Sequence, residues 1–97
     1  MNYEFHPEAL SEFHQAASYY DECSSGLGGR FVGCVEKGIQ QICEDPERWR
    51  VLEQDVRRYL VYVFPFAILY TIETEYVLII AVMHCSREPG YWRKRAR

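Results

Sequence analysis

The stretch that decides the fold is Tyr76–Arg95, YVLIIAVMHCSREPGYWRKR. It opens with an unbroken apolar run, Val77 to Met83, rich in β-branched side chains, and then turns abruptly polar at His84, Cys85, Ser86, Arg87, Glu88 and Pro89. A run this short, β-branched and sharply ended reads as an interior strand rather than a buried helix. Such a strand delivers His84 and Arg87 to one rim of a sheet, and a proline-started basic turn follows them. That rim is the first place to look for function.

Working upstream, FAILYTI (Phe66–Ile72) and RRYLVYVF (Arg57–Phe64) read as two further strands, separated from their neighbours only by Pro65 and by Glu73-Thr74-Glu75. Connections that short force antiparallel pairing. Before them, Asp45 to Arg50 is a loop opened by Pro46, with Trp49, Val51 and Leu52 expected to tuck back onto the core. Two amphipathic helices precede the loop. In Glu8–Cys23 the side chains Ala9, Leu10, Phe13, Ala16, Ala17 and Tyr20 share one side at ~100° per residue, and Glu8, Ser11, Glu12, Gln15 and Glu22 share the other. Pro7 suits the first turn of that helix. In the second helix, Gly28 to Glu44, the stripe is Phe31, Val32, Val35, Ile39 and Ile42, with Gly38 on the same side. The Ser-Ser-Gly-Leu-Gly-Gly stretch between them is followed by no G-K-[ST], so it reads as a helix–helix turn and not a phosphate loop. Tyr3–Phe5 is a candidate edge strand.

The expected architecture is therefore α+β: a helical hairpin packed on one face of an antiparallel sheet in the order β-α-α-β-β-β, with a short C-terminal helix. All 97 residues form a single domain in this reading, spanning 1–97. Both sides of the strands are apolar, and one hairpin covers one face only. The second face is then either a partner site or is closed by the C-terminal segment carrying Tyr91 and Trp92.

Composition narrows the function classes. With 48% hydrophobic and 26% charged residues the chain is globular rather than disordered. No apolar stretch approaches the ~18 residues of a membrane span, and the start lacks a basic region leading into a hydrophobic signal, so a cytoplasmic protein with no membrane partner is expected. Cysteines 23, 34, 43 and 85 form no C-x-x-C pair or zinc spacing, so reduced thiols, no metal and no cofactor are expected. The net charge of −3 conceals an asymmetry: Arg87–Arg97 holds five Lys/Arg and one acid. A footprint that narrow argues for a local contact with an acidic partner or nucleic acid, not for broad phosphate tracking.

The order of elements, GLGGRF (Gly26–Phe31), RRYLVYVFPFAILY (Arg57–Tyr70) and above all VMHCSREPGYWRKR (Val82–Arg95) resemble the RelE/ParE superfamily, the toxins of bacterial type II toxin–antitoxin systems, with the ParE-like, plasmid-stabilisation branch nearest. The H-x-x-R-x-P-x-x-W pattern at His84, Arg87, Pro89 and Trp92 is the most specific element. The resemblance implies a growth-arresting toxin that forms a hetero-oligomer with a cognate antitoxin, whose C-terminal segment wraps the sheet and helices. Tyr62, Phe66, Ile68 and Tyr70 are the candidate antitoxin-binding residues.

Within the superfamily the ParE-like branch inhibits DNA gyrase, and the RelE-like branch cuts mRNA on the ribosome with basic and tyrosine residues. Where RelE-like enzymes carry strand lysines this chain has Leu60 and Tyr62, and where they carry an arginine after the hairpin turn it has Ala67. Those departures weigh against a ribonuclease, which needs a proton acceptor and cations around the reacting phosphate. The residues left for such chemistry are His84, Arg87, Arg57 and Tyr70. For a target-binding surface the candidates are Arg87, Trp92, Arg93, Lys94 and Arg95. The opposing structural expectation has His84 capping a strand end, Arg87 paired with Glu88 or an acid of the first helix, and Trp92 serving as a packing anchor. The readings carried forward are a non-enzymatic ParE-like inhibitor, a RelE-like endoribonuclease, and a folded but non-toxic binding module.

Overall fold

The computed structural model describes residues 1–96. In chain order the elements are β1 (Asn2–Phe5), α1 (Pro7–Cys23), α2 (Leu27–Glu44), β2 (Val51–Glu53), β3 (Val56–Leu60), β4 (Phe66–Ile72), β5 (Tyr76–His84) and α3 (Arg93–Ala96). The five strands form one sheet in the order β1-β5-β4-β3-β2. The hairpin and the three long strands are those the sequence predicts. The sheet differs in two respects: Val51–Glu53 adds a fourth strand after the helices, and β1 lies parallel to β5, so the sheet is mixed.

Local chemistry explains the hairpin. Pro7 opens α1, and the ring Nδ1 of His6 accepts the Glu8 N–H at 3.1 Å, supplying an N-cap. At the turn, Asp21 Oδ1 accepts the N–H groups of Gly26 and Gly28 at 3.0 and 3.2 Å, tying the end of α1 to the start of α2. Gly28 permits that approach, since a Cβ there would lie 2.5 Å from the Ala17 carbonyl oxygen. Gly38 does the same against the sheet, where a Cβ would meet the Tyr59 ring at 2.6 Å. Phe31, Val35, Ile39 and Ile42 of α2 join Phe13 of α1 over Ile68, Tyr70, Val77 and Ile79 as the larger core.

A β-bulge sets the geometry of the rim. Pairing runs Tyr70↔Ile79, then Leu69↔Ala81, leaving Ile80 as an extra residue in β5. Strict alternation would place Val82 and His84 opposite Val77 and Ile79. The bulge brings them back, so Val82 packs in the helix-side core and His84 sits opposite Phe66, with ring centroids 5.2 Å apart.

The second face is closed from within. Val56, Ala67, Leu69, Ile80 and Ala81 pack with Trp92 in a second cluster, flanked by Leu78, Met83, Tyr91 and Ala96. Trp92 is only 3% exposed. Of the two alternatives for this face, the structure selects the fold-back of the C-terminal segment. An indole buries on the order of 200 Å², enough for one side chain to cover a patch floored by small residues such as Ala67 and Ala81.

Between β3 and β4 the chain leaves the sheet earlier than the apolar run RRYLVYVF suggests. Val63 adopts φ 75°, a left-handed conformation that costs a β-branched residue energy. Val61 and Phe64 still reach the core, while Tyr62 and Val63 face solvent.

Candidate functional site

The rim after β5 is built around Glu12 of α1. Beyond Phe5 the strand β1 ends, with the His6 N–H donating to the Ile79 carbonyl at 2.8 Å. From there side chains take over from a neighbouring strand along β5. Arg95 Nη1 donates to the Ile80 carbonyl at 3.0 Å, and Glu12 Oε1 accepts the Val82 N–H at 3.0 Å. Arg95 also grips both oxygens of Glu12, at 3.0 and 2.9 Å, and lies 3.1 Å from Glu8 Oε1. A carboxylate and a guanidinium so engaged close an edge that would otherwise bare its backbone.

Arg87 joins the same cluster more loosely. Its Nε donates to Glu88 at 2.9 Å, an Nη lies 3.6 Å from Glu12, and the guanidinium sits 3.7 Å over the Tyr91 ring. Beneath it, the buried Tyr91 hydroxyl has no hydrogen-bond partner among the described residues. Burial first, and then the adjacent Glu12 carboxylate, hold that phenol well above its ordinary value.

His84 is exposed at the mouth of a cleft of about 260 Å³ shared with Glu12, Gln15, Tyr19, Phe66 and Arg87. Its Nδ1 accepts the Ser86 N–H at 3.1 Å and lies 2.8 Å from Ser86 Oγ. A backbone N–H can only donate, so Nδ1 carries no proton and the neutral ring is protonated at Nε2. Nε2 is then a donor. The basic lone pair is spent inside the residue's own turn, as expected for a group that caps a strand end.

The other candidates do not converge on His84. Arg57 and Tyr70 face each other across β3 and β4, four residues along β4 from the Phe66–His84 pair, roughly 13 Å at the rise of a strand. Arg57 donates to the carbonyls of Glu47 and Trp49 at 3.0 and 2.7 Å, holding the loop before β2. Tyr70 is fully buried and donates to the Pro46 carbonyl at 2.6 Å. Burial, opposed by Arg57 and reinforced by Asp45, pushes it up to about 12.

The surface expectations need correction in the same way. Phe66, Ile68 and Tyr70 lie under the hairpin, because the even-numbered side chains of β4 point towards α2; of the residues proposed as an antitoxin surface only Tyr62 is open, at 78%. Trp92 is a core side chain, and Arg95, 9% exposed, is locked on Glu8 and Glu12. Arg93 and Lys94 are exposed, and Arg93 forms a bidentate pair with Glu53 at 2.6 and 3.0 Å. That pairing holds the Glu53 carboxyl below its ordinary value. Arg97 lies outside the described residues.

Sequence reading placed Glu12 on the solvated side of α1. A signal to the contrary existed: Glu12 follows Ala9 by three and precedes Ala16 by four, so it borders the buried stripe. The four cysteines are free, and among the described residues no cluster of three or more His, Cys, Asp or Glu is disposed to hold a metal ion. Nor is any described helix long and apolar enough to cross a membrane.

These features define a small α+β protein whose helical hairpin grips one sheet face and whose C-terminal segment grips the other. A family model described as "ParE toxin of type II toxin-antitoxin system, parDE" matches residues 3–89, and the chain belongs to that family. Among solved structures, a chain from the chromosomal ParDE TA system from P. aeruginosa superposes with a TM-score of 0.77 at 10% identity, over 87% of this chain and 95% of that one. The likeness extends the family assignment to the fold. No curated protein sequence matches the chain.

Proposed function

We propose that this ParE-type toxin acts without catalysis, by binding and inhibiting a protein target. By family resemblance the target is DNA gyrase, reached in the cytoplasm, and a cognate antitoxin neutralises the toxin in a hetero-oligomer. The observation that carries the non-catalytic reading is the state of the candidate proton-transfer groups. His84 spends its basic nitrogen on Ser86, Tyr70 is buried against Pro46, and Arg57 holds two loop carbonyls. In-line cleavage of RNA needs a base within reach of the attacking hydroxyl, and these engagements weigh against His84, Tyr70 or Arg57 taking that part.

Two readouts test the proposal. Purified toxin is expected to inhibit gyrase supercoiling, and the His84→Ala/Arg87→Ala double variant is expected to keep arresting growth on induction. Codon-positioned mRNA cuts that vanish in the double variant would instead establish the ribonuclease reading.

A further inference from the structure

Two guanidinium groups on the second sheet face have no counter-ion among the described residues. Arg50 and Arg58 stand on neighbouring segments, joined by the hydrogen bond from the Arg58 N–H to the Arg50 carbonyl at 3.1 Å. Neither side chain makes a hydrogen bond or ion pair among the described residues, although Arg58 is half-buried. Four neighbouring arginines are engaged, Arg57 on carbonyls, Arg87 on Glu88, Arg93 on Glu53 and Arg95 on Glu12, and Arg48 lies over the Trp49 ring. Like charges side by side across strands repel. Holding two of them unpaired on a protein of net charge −3 is a local cost that an anion would relieve.

The surface around them is a groove. Two adjoining depressions, of about 260 and 240 Å³, share Leu52 and Arg58. The first continues to Arg50 and Val51, and the second runs past Met83 and the neutralised Glu53–Arg93 pair to Pro89 and the covered edge of Trp92. Val51 and Leu52, which line it, are exposed at 44 and 40%. Apolar side chains therefore alternate with unpaired cations along the groove.

We propose that this groove binds an extended acidic peptide segment of a partner protein, with carboxylates on Arg50 and Arg58 and aliphatic side chains against Val51, Leu52 and Met83. A polypeptide fits better than nucleic acid because the single aromatic ring lining the groove, Trp92, is sealed in the core and offers no face for a base to stack on. The proposal rests on the reading that the toxin's target is a protein, and it places the target contact on Arg58 rather than on Trp92 or Arg95.

The test is fluorescence anisotropy with a labelled peptide carrying Glu-Leu-Glu-Leu-Glu between Gly-Ser flanks. The full chain should bind it, and should bind the matched Gln-Leu-Gln-Leu-Gln peptide far more weakly. Arg58→Gln should weaken binding about tenfold or more, and Arg58→Lys by less, since a guanidinium holds a carboxylate by two bonds. The Arg30→Gln/Lys37→Gln variant, which removes two cations from α2, should bind as the parent does. Because Arg58→Gln removes a like-charge neighbour of Arg50 and breaks no pairing, that variant should melt no lower than the parent, which separates lost binding from lost folding. Equal binding of the two peptides, an unchanged Arg58→Gln variant, tighter binding of oligothymidylate, or an Arg58-dependent dimer in sedimentation would each overturn the proposal. Gyrase takes no part in this assay, so a failed supercoiling test with intact peptide binding would reject the target and leave the groove standing.

Discussion

The two faces of the sheet are covered by very different amounts of chain. On one, two helices of 17 and 18 residues lay Phe13, Phe31, Val35, Ile39 and Ile42 over the strands. On the other, a short C-terminal segment does the work chiefly with Trp92, clasped at its far end by Arg95 on Glu12 and tied at Arg93 to Glu53. The first face is over-determined, with many side chains sharing the load. The second depends on one indole and two ion pairs. What the C-terminal segment leaves uncovered, along β2 and β3, is where unpaired cations and exposed aliphatics meet.

Removing the anchor should have the largest effect. Trp92→Ala should cost roughly 3–5 kcal/mol in denaturant unfolding, because the side chain lost is large, buried and without a substitute on its face. It should also raise the binding of a hydrophobic dye, as the patch of Leu69, Ile80 and Ala81 opens. On the hairpin face the comparable probe is overpacking rather than deletion. Gly38→Ala drives a methyl against the Tyr59 ring and should cost about 1–3 kcal/mol, leaving dye binding unchanged. If Gly38→Ala proved the more damaging, the contrast between a shared and a single-anchored face would be lost.

The smallest expected change is at Tyr70. Tyr70→Phe removes one buried hydrogen bond, about 1 kcal/mol at neutral pH, and should leave growth arrest intact. Its signature is in alkali. The folded-state value is raised from 10.0 to about 12, so the protonated phenol stabilises the native state fully below pH 10, and that contribution is lost as pH rises through 12. The parent should therefore lose on the order of 2–3 kcal/mol over that window, and the Phe variant should lack this step.

Much of the architecture was legible because periodicity records burial. The helical stripes of α1 and α2 and the apolar runs of β4 and β5 each face a core, and a core-facing pattern survives in the sequence. Other features leave no such trace. Strand β2 is three residues long, with two of them exposed, so its composition matches a loop. The Ile80 bulge is one more aliphatic in an aliphatic run, yet it decides that His84 stands beside Glu12 rather than on the far face. The closing of the second face turns on where residues 91–96 dock, a tertiary event that the segment's own basic composition masks. The candidate site was read from residue types alone, so His84 and Tyr70 looked reactive, while Arg58, one of a pair in an apolar run, passed as strand filler.

The closing of the second face is tested most directly by the fluorescence of Trp92. The chain has two tryptophans, so a Trp49→Phe variant leaves Trp92 as the sole indole. The account predicts blue-shifted emission that acrylamide quenches poorly until the protein unfolds. Red-shifted emission, quenched in the native state as readily as in denaturant, would contradict it and return that face to solvent.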